Sequence, residues 1–139
     1  LISFQPTSDL QRSAELTFNN MRPYYAHYAV DWEQSKILEQ ISGLENWDIL
    51  YQGVPVGAVR IAMENDDCYL RDLQVGTAFQ NKGIGAQALI EAARIATEHG
   101  AKHVKLRVFK ISPAFHLYTR EGFSVVKEDD RFYYMVKEI

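Results

Sequence analysis

Apolar and polar positions along this chain change period several times, and each change marks a new element. Ile2 to Gln5 alternate as a short first strand. Ser8 followed by Gln11 has the capping-box spacing, which predicts a helix running to about Phe18. The next segment, NNMRPYYAHYAVD, is a polar and aromatic connection interrupted by Pro23. Asp31 and Gln34 repeat the capping spacing. Trp32, Ile37, Leu38 and Ile41 then recur at helical intervals up to a stop at Gly43.

From Trp47 the period falls to two. Trp47–Tyr51 and Val56–Met63 flank a turn at Gly53–Pro55, and Asn65–Asp67 turns the chain into a further strand, Cys68–Val75. A long helix follows, with Ile84, Ala88, Leu89, Ala92, Ile95 and Ala96 on one stripe and an end near Gly100. Val104–Phe109 alternates again. Ser112–Pro113 supplies an N-cap and a first helical residue, and Gly122 closes that helix. Phe123–Val126 and Phe132–Val136 are the last two strands, joined by a charged turn. The order predicts one α/β domain of the α+β type over residues 1–139, with helices on both faces of a largely antiparallel sheet.

Composition narrows the function classes. Hydrophobic content of 47% and charged content of 24% are ordinary for a soluble domain. A net charge of −3 argues against nucleic acid as the main partner. Phe132, Tyr133 and Tyr134 accordingly read as strand packing. No apolar run has the length of a membrane span, and no basic-then-apolar leader precedes the first strand, so no membrane partner is expected. Cys68 is the single cysteine, which suits a reducing cytoplasm and predicts a small buried apolar residue. His99 and His103 are four apart, but Gly100 ends the helix between them, so no metal site is expected.

The stretch QNKGIGAQA carries the chemistry. Two glycines, Gly83 and Gly85, open a helix just after Lys82. The first N–H groups of a helix lack internal partners and favour an anion, so a phosphate cradle and a simple tight joint both explain the pair. GIGAQA also matches a dinucleotide-binding pattern, but its context is wrong. Seven residues separate Val75 from Gly83, and the position where a ribose-binding acid belongs reads KLRVFK.

Gln80, Gly83 and Gly85 instead fit a Q/R-x-x-G-x-G/A signature. With LRDLQV, Val104–Phe109 and SPAFHLYTREGF around it, the chain resembles the GNAT superfamily of acyl-CoA-dependent N-acetyltransferases along almost its full length. The resemblance implies a central sheet of about seven strands whose fourth and fifth members splay apart. It assigns acetyl-CoA as co-substrate, its pyrophosphate held by Gln80, Asn81, Lys82, Gly83, Ile84 and Gly85. Leu73, Gln74 and Val75 would pair with the pantetheine arm through their main chain, and an N–H near Val75 would stabilise the oxyanion. Ser112 stands where the family often has asparagine at the cofactor, a departure that a plain N-cap also explains. Tyr118 falls on the family's tyrosine and is expected to protonate the leaving thiolate, the alternative being a tyrosine packed beside Phe123. Asp72, mid-strand between apolar residues, and Glu64 at the end of the third strand are the candidate bases; Glu64 reads as a solvated strand-end charge, and Asp72 is otherwise an ion-pair partner of Arg71 or a neighbouring strand.

Acceptor recognition in such proteins falls largely to the first two helices, their connection and the later strands. Here the connection assigns Arg22, Tyr24 and Tyr25, as a pocket wall or as a cover for the sheet edge. The expected reaction is direct attack by a primary amine of a small molecule or peptide in a ternary complex. Homodimers are common among similar proteins. The rival reading is a module that binds acyl-CoA in the same cradle without turnover.

Overall fold

A computed structural model describes residues 1–139. The elements are β1 (Ile2–Pro6), α1 (Leu10–His27), α2 (Gln34–Ile41), β2 (Glu45–Tyr51), β3 (Val54–Glu64) and β4 (Asp67–Val75). After a short 3-10 turn at Thr77–Phe79 come α3 (Ile84–Glu98), β5 (His103–Phe109), α4 (Ala114–Arg120), β6 (Ser124–Glu128) and β7 (Phe132–Glu138). The strands form one seven-stranded sheet in the order β1-β2-β3-β4-β5-β7-β6. Every neighbouring pair is antiparallel except β4–β5.

The two faces of the sheet differ in kind. α3 and α4 cover one with an apolar core that includes Ile49, Val59, Ile61, Leu70, Leu106, Val108 and Met135. The six-residue stripe read from α3 is the buried set of that helix. α1 and α2 cover the other face, where the apolar cluster is small, built on Ala14, Ile37 and Ile41. Asp48 and Arg60 are fully buried on this second side.

α1 departs most from the sequence expectation. Its N-cap is Asp9, whose carboxylate accepts the Arg12 N–H at 3.0 Å, and the helix runs past Phe18 through Pro23 to His27. Pro23 forgoes the bond its nitrogen would give to the Asn19 carbonyl. The helix continues because its last turns are held by packing. Tyr24 and Tyr28 stack on Phe109 of β5 at 5.8 and 5.0 Å, and Tyr25 stacks on Trp32 at 6.0 Å. Likewise α2 begins at Gln34 behind Glu33, with no side-chain cap, so the capping role expected of Asp31 is not taken up.

A bulge in β4 sets up the site. Arg60 pairs with Asp72 but Ile61 pairs with Leu70, leaving Arg71 as the extra residue. Cys68 and Leu70 face the apolar core before the bulge, and Leu73 and Val75 pack against it afterwards. Without the insertion Asp72 and Gln74 would point into that core. With it, they face α1.

Candidate active site

β4 and β5 pair over three positions and then part. The pairs are Asp67 with His103, Cys68 with Val104 and Tyr69 with Lys105. Beyond them Leu70–Val75 stays with β3, and Leu106–Phe109 stays with β7. A wedge-shaped gap opens toward the C-terminal ends of both strands. The Gly76 N–H donates to Val56 O at 2.7 Å, so antiparallel alternation turns the main-chain groups of Leu73 and Val75 away from β3 and into the gap. Part of that edge is engaged already. Val75 O accepts from Asn20 Nδ2 at 2.9 Å and from Gln80 Nε2 at 3.0 Å.

The loop after β4 leads to the glycine-rich helix entrance. Asn81 and Gly83 both have left-handed backbone, with φ of 61° and 80°. Gly83 is the N-cap of α3, so no side chain occupies the first N–H groups of the helix. The two glycines do different work. Gly83 supplies the positive φ, with open space where a Cβ would stand. At Gly85 a Cβ would lie 2.9 Å from Leu117 Cδ2, so its absence brings α3 close to α4. Ile84 between them is buried and anchors the turn, whereas Lys82 is exposed.

Two candidate catalytic groups approach from opposite faces. Tyr118 of α4 is buried, its ring edge-on to Phe123 at 5.8 Å. Burial, and secondarily the charge of Asp72, hold its phenol well above the ordinary value, so it is protonated at neutral pH. Asp72 lies on the α1 side, where Arg60 Nη1 donates to its Oδ2 at 3.1 Å and Gln74 Nε2 lies 3.4 Å from its Oδ1. Burial lifts the Asp72 carboxyl above the usual carboxylate range, against the guanidinium of Arg60, the Gln74 amide and the charge of Arg71. Tyr25 also senses Asp72. Burial and that charge push its phenol up to about 12. Pro113, not Ser112, is the N-cap of α4, and Ser112 stands one residue before it, its Oγ accepting the Ala114 N–H at 3.2 Å.

The helical winding of α1 separates the three residues assigned to the acceptor. Tyr24 faces Phe109 and Tyr25 faces Trp32, while exposed Arg22 lies over the Phe18 ring at 5.5 Å. Sequence reasoning missed the polar residues that order this side. Ser13, Thr17, Asn20, Asn46 and Arg60 join α1, β2, β3 and β4 by hydrogen bonds. Arg60 carried a signal: it is a lone charge inside the apolar run VGAVRIAM.

The profile of the acetyltransferase (GNAT) family matches residues 9–123. The chain belongs to that family. Streptothricin acetyltransferase of Streptomyces lavendulae is 35% identical over 77 residues, covering 55% of this chain and 41% of the relative. The chain thus spans less than half the length of the curated relative it matches. Solved GNAT structures share the fold. The PaiA N-acetyltransferase of Thermoplasma acidophilum, in complex with coenzyme A, superposes with a TM-score of 0.76 at 18% identity, covering 100% of this chain and 99% of that one. A GNAT acetyltransferase of Elizabethkingia anophelis with acetyl-CoA bound gives a TM-score of 0.78 at 16% identity, covering 99% and 98%. Nourseothricin acetyltransferase gives 0.63 at 24% identity, covering 70% of this chain and 66% of that structure. The residues present fit acetyl-CoA: the left-handed loop and uncapped helix start suit its phosphates, and the gap presents main-chain groups along its length.

Proposed function

We propose that this GNAT domain acetylates a primary amine of a small molecule by direct attack in a ternary complex. The observation that carries the reading is the gap between β4 and β5, with Asp72 approaching from the α1 face and Tyr118 from the α3–α4 face. The likeness to streptothricin acetyltransferase favours a small-molecule acceptor over a peptide.

When bound, acetyl-CoA supplies an acyl group activated as a thioester. Gln80, Asn81, Lys82, Gly83, Ile84 and Gly85 form the phosphate cradle. Leu73 and the Val75 N–H present donors and an acceptor to the pantetheine arm and acyl oxygen, whereas the Gln74 main chain, alternating between them, faces β3 and is not available to the arm. Asp72 takes a proton from the incoming ammonium group, leaving the amine a free electron pair. Tyr118, protonated throughout the physiological range, delivers its proton to the departing sulfur. Tyr25, close enough to sense the Asp72 charge, borders the path of the amine. Arg22 and Tyr24 precede Tyr25 within the same turn of α1 and act on the body of the acceptor.

The test is thermal stability with acetyl-CoA and with NAD, followed by thiol release in the presence of amines. A melting-temperature rise with acetyl-CoA alone supports the cradle by mass action. No rise at saturating acetyl-CoA would remove the reading. A rise without amine-dependent thiol release would make the domain an acyl-CoA-binding module.

A further inference from the structure

Arg60 is the most completely enclosed charge in the molecule, with no exposed surface. All five of its N–H groups are used. Nε donates to Asn46 Oδ1 at 2.8 Å, Nη1 to Thr17 Oγ1 at 2.8 Å and to Asp72 Oδ2 at 3.1 Å. Nη2 donates to the Ser13 carbonyl at 3.0 Å and to Ser13 Oγ at 2.5 Å. Four of these acceptors are neutral. Asp72 is the only anion in the set, and its side chain keeps 22% of its surface open while Arg60 keeps none. A buried cation costs several kcal/mol unless it is paired, so this geometry exists around the Asp72 carboxylate.

The pairing is one-sided. Oδ2 is held by the guanidinium, whereas Oδ1 has only the longer contact with Gln74. The planar guanidinium is itself fixed by three elements: α1 through Ser13 and Thr17, β2 through Asn46, and its own strand. It cannot swing away. From these contacts we infer that Arg60 is a positioning residue for the acetyl transfer, holding Asp72 ionised with Oδ1 turned toward the acceptor amine. The inference rests on Asp72 being the base.

Other groups that face Asp72 do not replace this role. Arg71 is the bulged neighbour on β4, half exposed and near Glu64 at 3.8 Å. Tyr25 from α1 and Tyr118 from α4 are neutral phenols. Gln74 is uncharged. Arg60 is the one cation bonded to the carboxylate, and burial alone would leave Asp72 protonated to a higher pH.

The experiment is a carbon-13 NMR titration of the Asp72 side-chain carboxyl in the intact chain, for wild type, Arg60→Gln and Arg60→Lys. The Asp72 midpoint is expected to rise by roughly one to three pH units in Arg60→Gln, and by less in Arg60→Lys, which keeps the charge but not the fork. The acid limb of thiol release from acetyl-CoA, with streptothricin as the amine, is expected to move up by the same amount. Arg60→Lys carries the test if Arg60→Gln does not fold. An unmoved Asp72 midpoint in a folded variant overturns the inference. An Asp72→Asn variant that keeps the wild-type acid limb overturns the base reading instead, and the midpoint measured in the Arg60 variants tells the two failures apart.

Discussion

The two faces of the sheet solve different problems. Under α3 and α4 the contacts are apolar and mutually replaceable: nineteen buried residues form one cluster. Under α1 and α2 the contacts are specific, with Asp48 accepting from Thr7 and Arg12, and Arg60 reaching Ser13, Thr17, Asn46 and Asp72. An apolar cluster tolerates a shift of a few tenths of an ångström, whereas a guanidinium with five fixed acceptors does not. The first face supplies most of the burial that holds the fold. The second supplies orientation at the gap, where the proposed reaction brings in the amine.

Tyr118 tests this division most severely, because it is packed within the apolar face and is yet the proposed acid. Tyr118→Phe keeps the ring contact with Phe123 and removes only the hydroxyl. Turnover is expected to fall by roughly 10²- to 10⁴-fold, with the melting-temperature rise given by acetyl-CoA retained. An unchanged kcat would return Tyr118 to a packing role. Ile95→Ala, in the middle of the α3 stripe, should behave in the opposite way. Its cost is about 2–5 kcal/mol in denaturant unfolding, with the pH dependence of turnover untouched.

The polar face alone should carry a titration. As the proposed base, Asp72 must be ionised to accept a proton, so kcat/KM for the amine is expected to fall as pH drops through its folded-state pKa. Each further unit of acid costs about tenfold. Because burial raises that pKa, the limb lies above the ordinary carboxylate range. The stabilisation given by acetyl-CoA binding should not follow the same limb, since the proposed cradle is made of main-chain donors. Gly83→Ala gives the smallest expected effect. A Cβ there meets no atom, so the cost is that of a left-handed alanine, roughly 1–2 kcal/mol, with weaker acetyl-CoA binding measured by thermal shift.

The same contrast explains what could be read from the sequence. The α3 stripe and the glycine-rich entrance are local patterns, so residue spacing revealed them. The α1 face rests on bonds between residues far apart in the chain, such as Arg60 with Ser13 and Asn20 with Val75. No window of sequence contains both partners. α1 was cut short for a related reason. Pro23 and the four aromatic or histidine residues Tyr24, Tyr25, His27 and Tyr28 look like a loop until Phe109 is brought beneath Tyr24 and Tyr28. The Arg71 bulge was equally silent, although it decides which way Asp72 points.

α1 also crosses the place where β4 and β5 separate. Before Pro23 it is fastened to β3 and β4 through Ser13, Thr17 and Asn20, and after Pro23 to β5 through Tyr24 and Tyr28, the Tyr28 hydroxyl also reaching Arg131 O, in the turn before β7, at 3.4 Å. Mechanically the sheet is two plates joined along a seam of three residue pairs, with a brace bolted to both. The width of the aperture is therefore set by the length of helix between Asn20 and Tyr24. A residue inserted or deleted within that span would rotate one set of fastenings by about 100° relative to the other. This short length of α1 is a gauge for the slot, and its residue count matters as much as its chemistry.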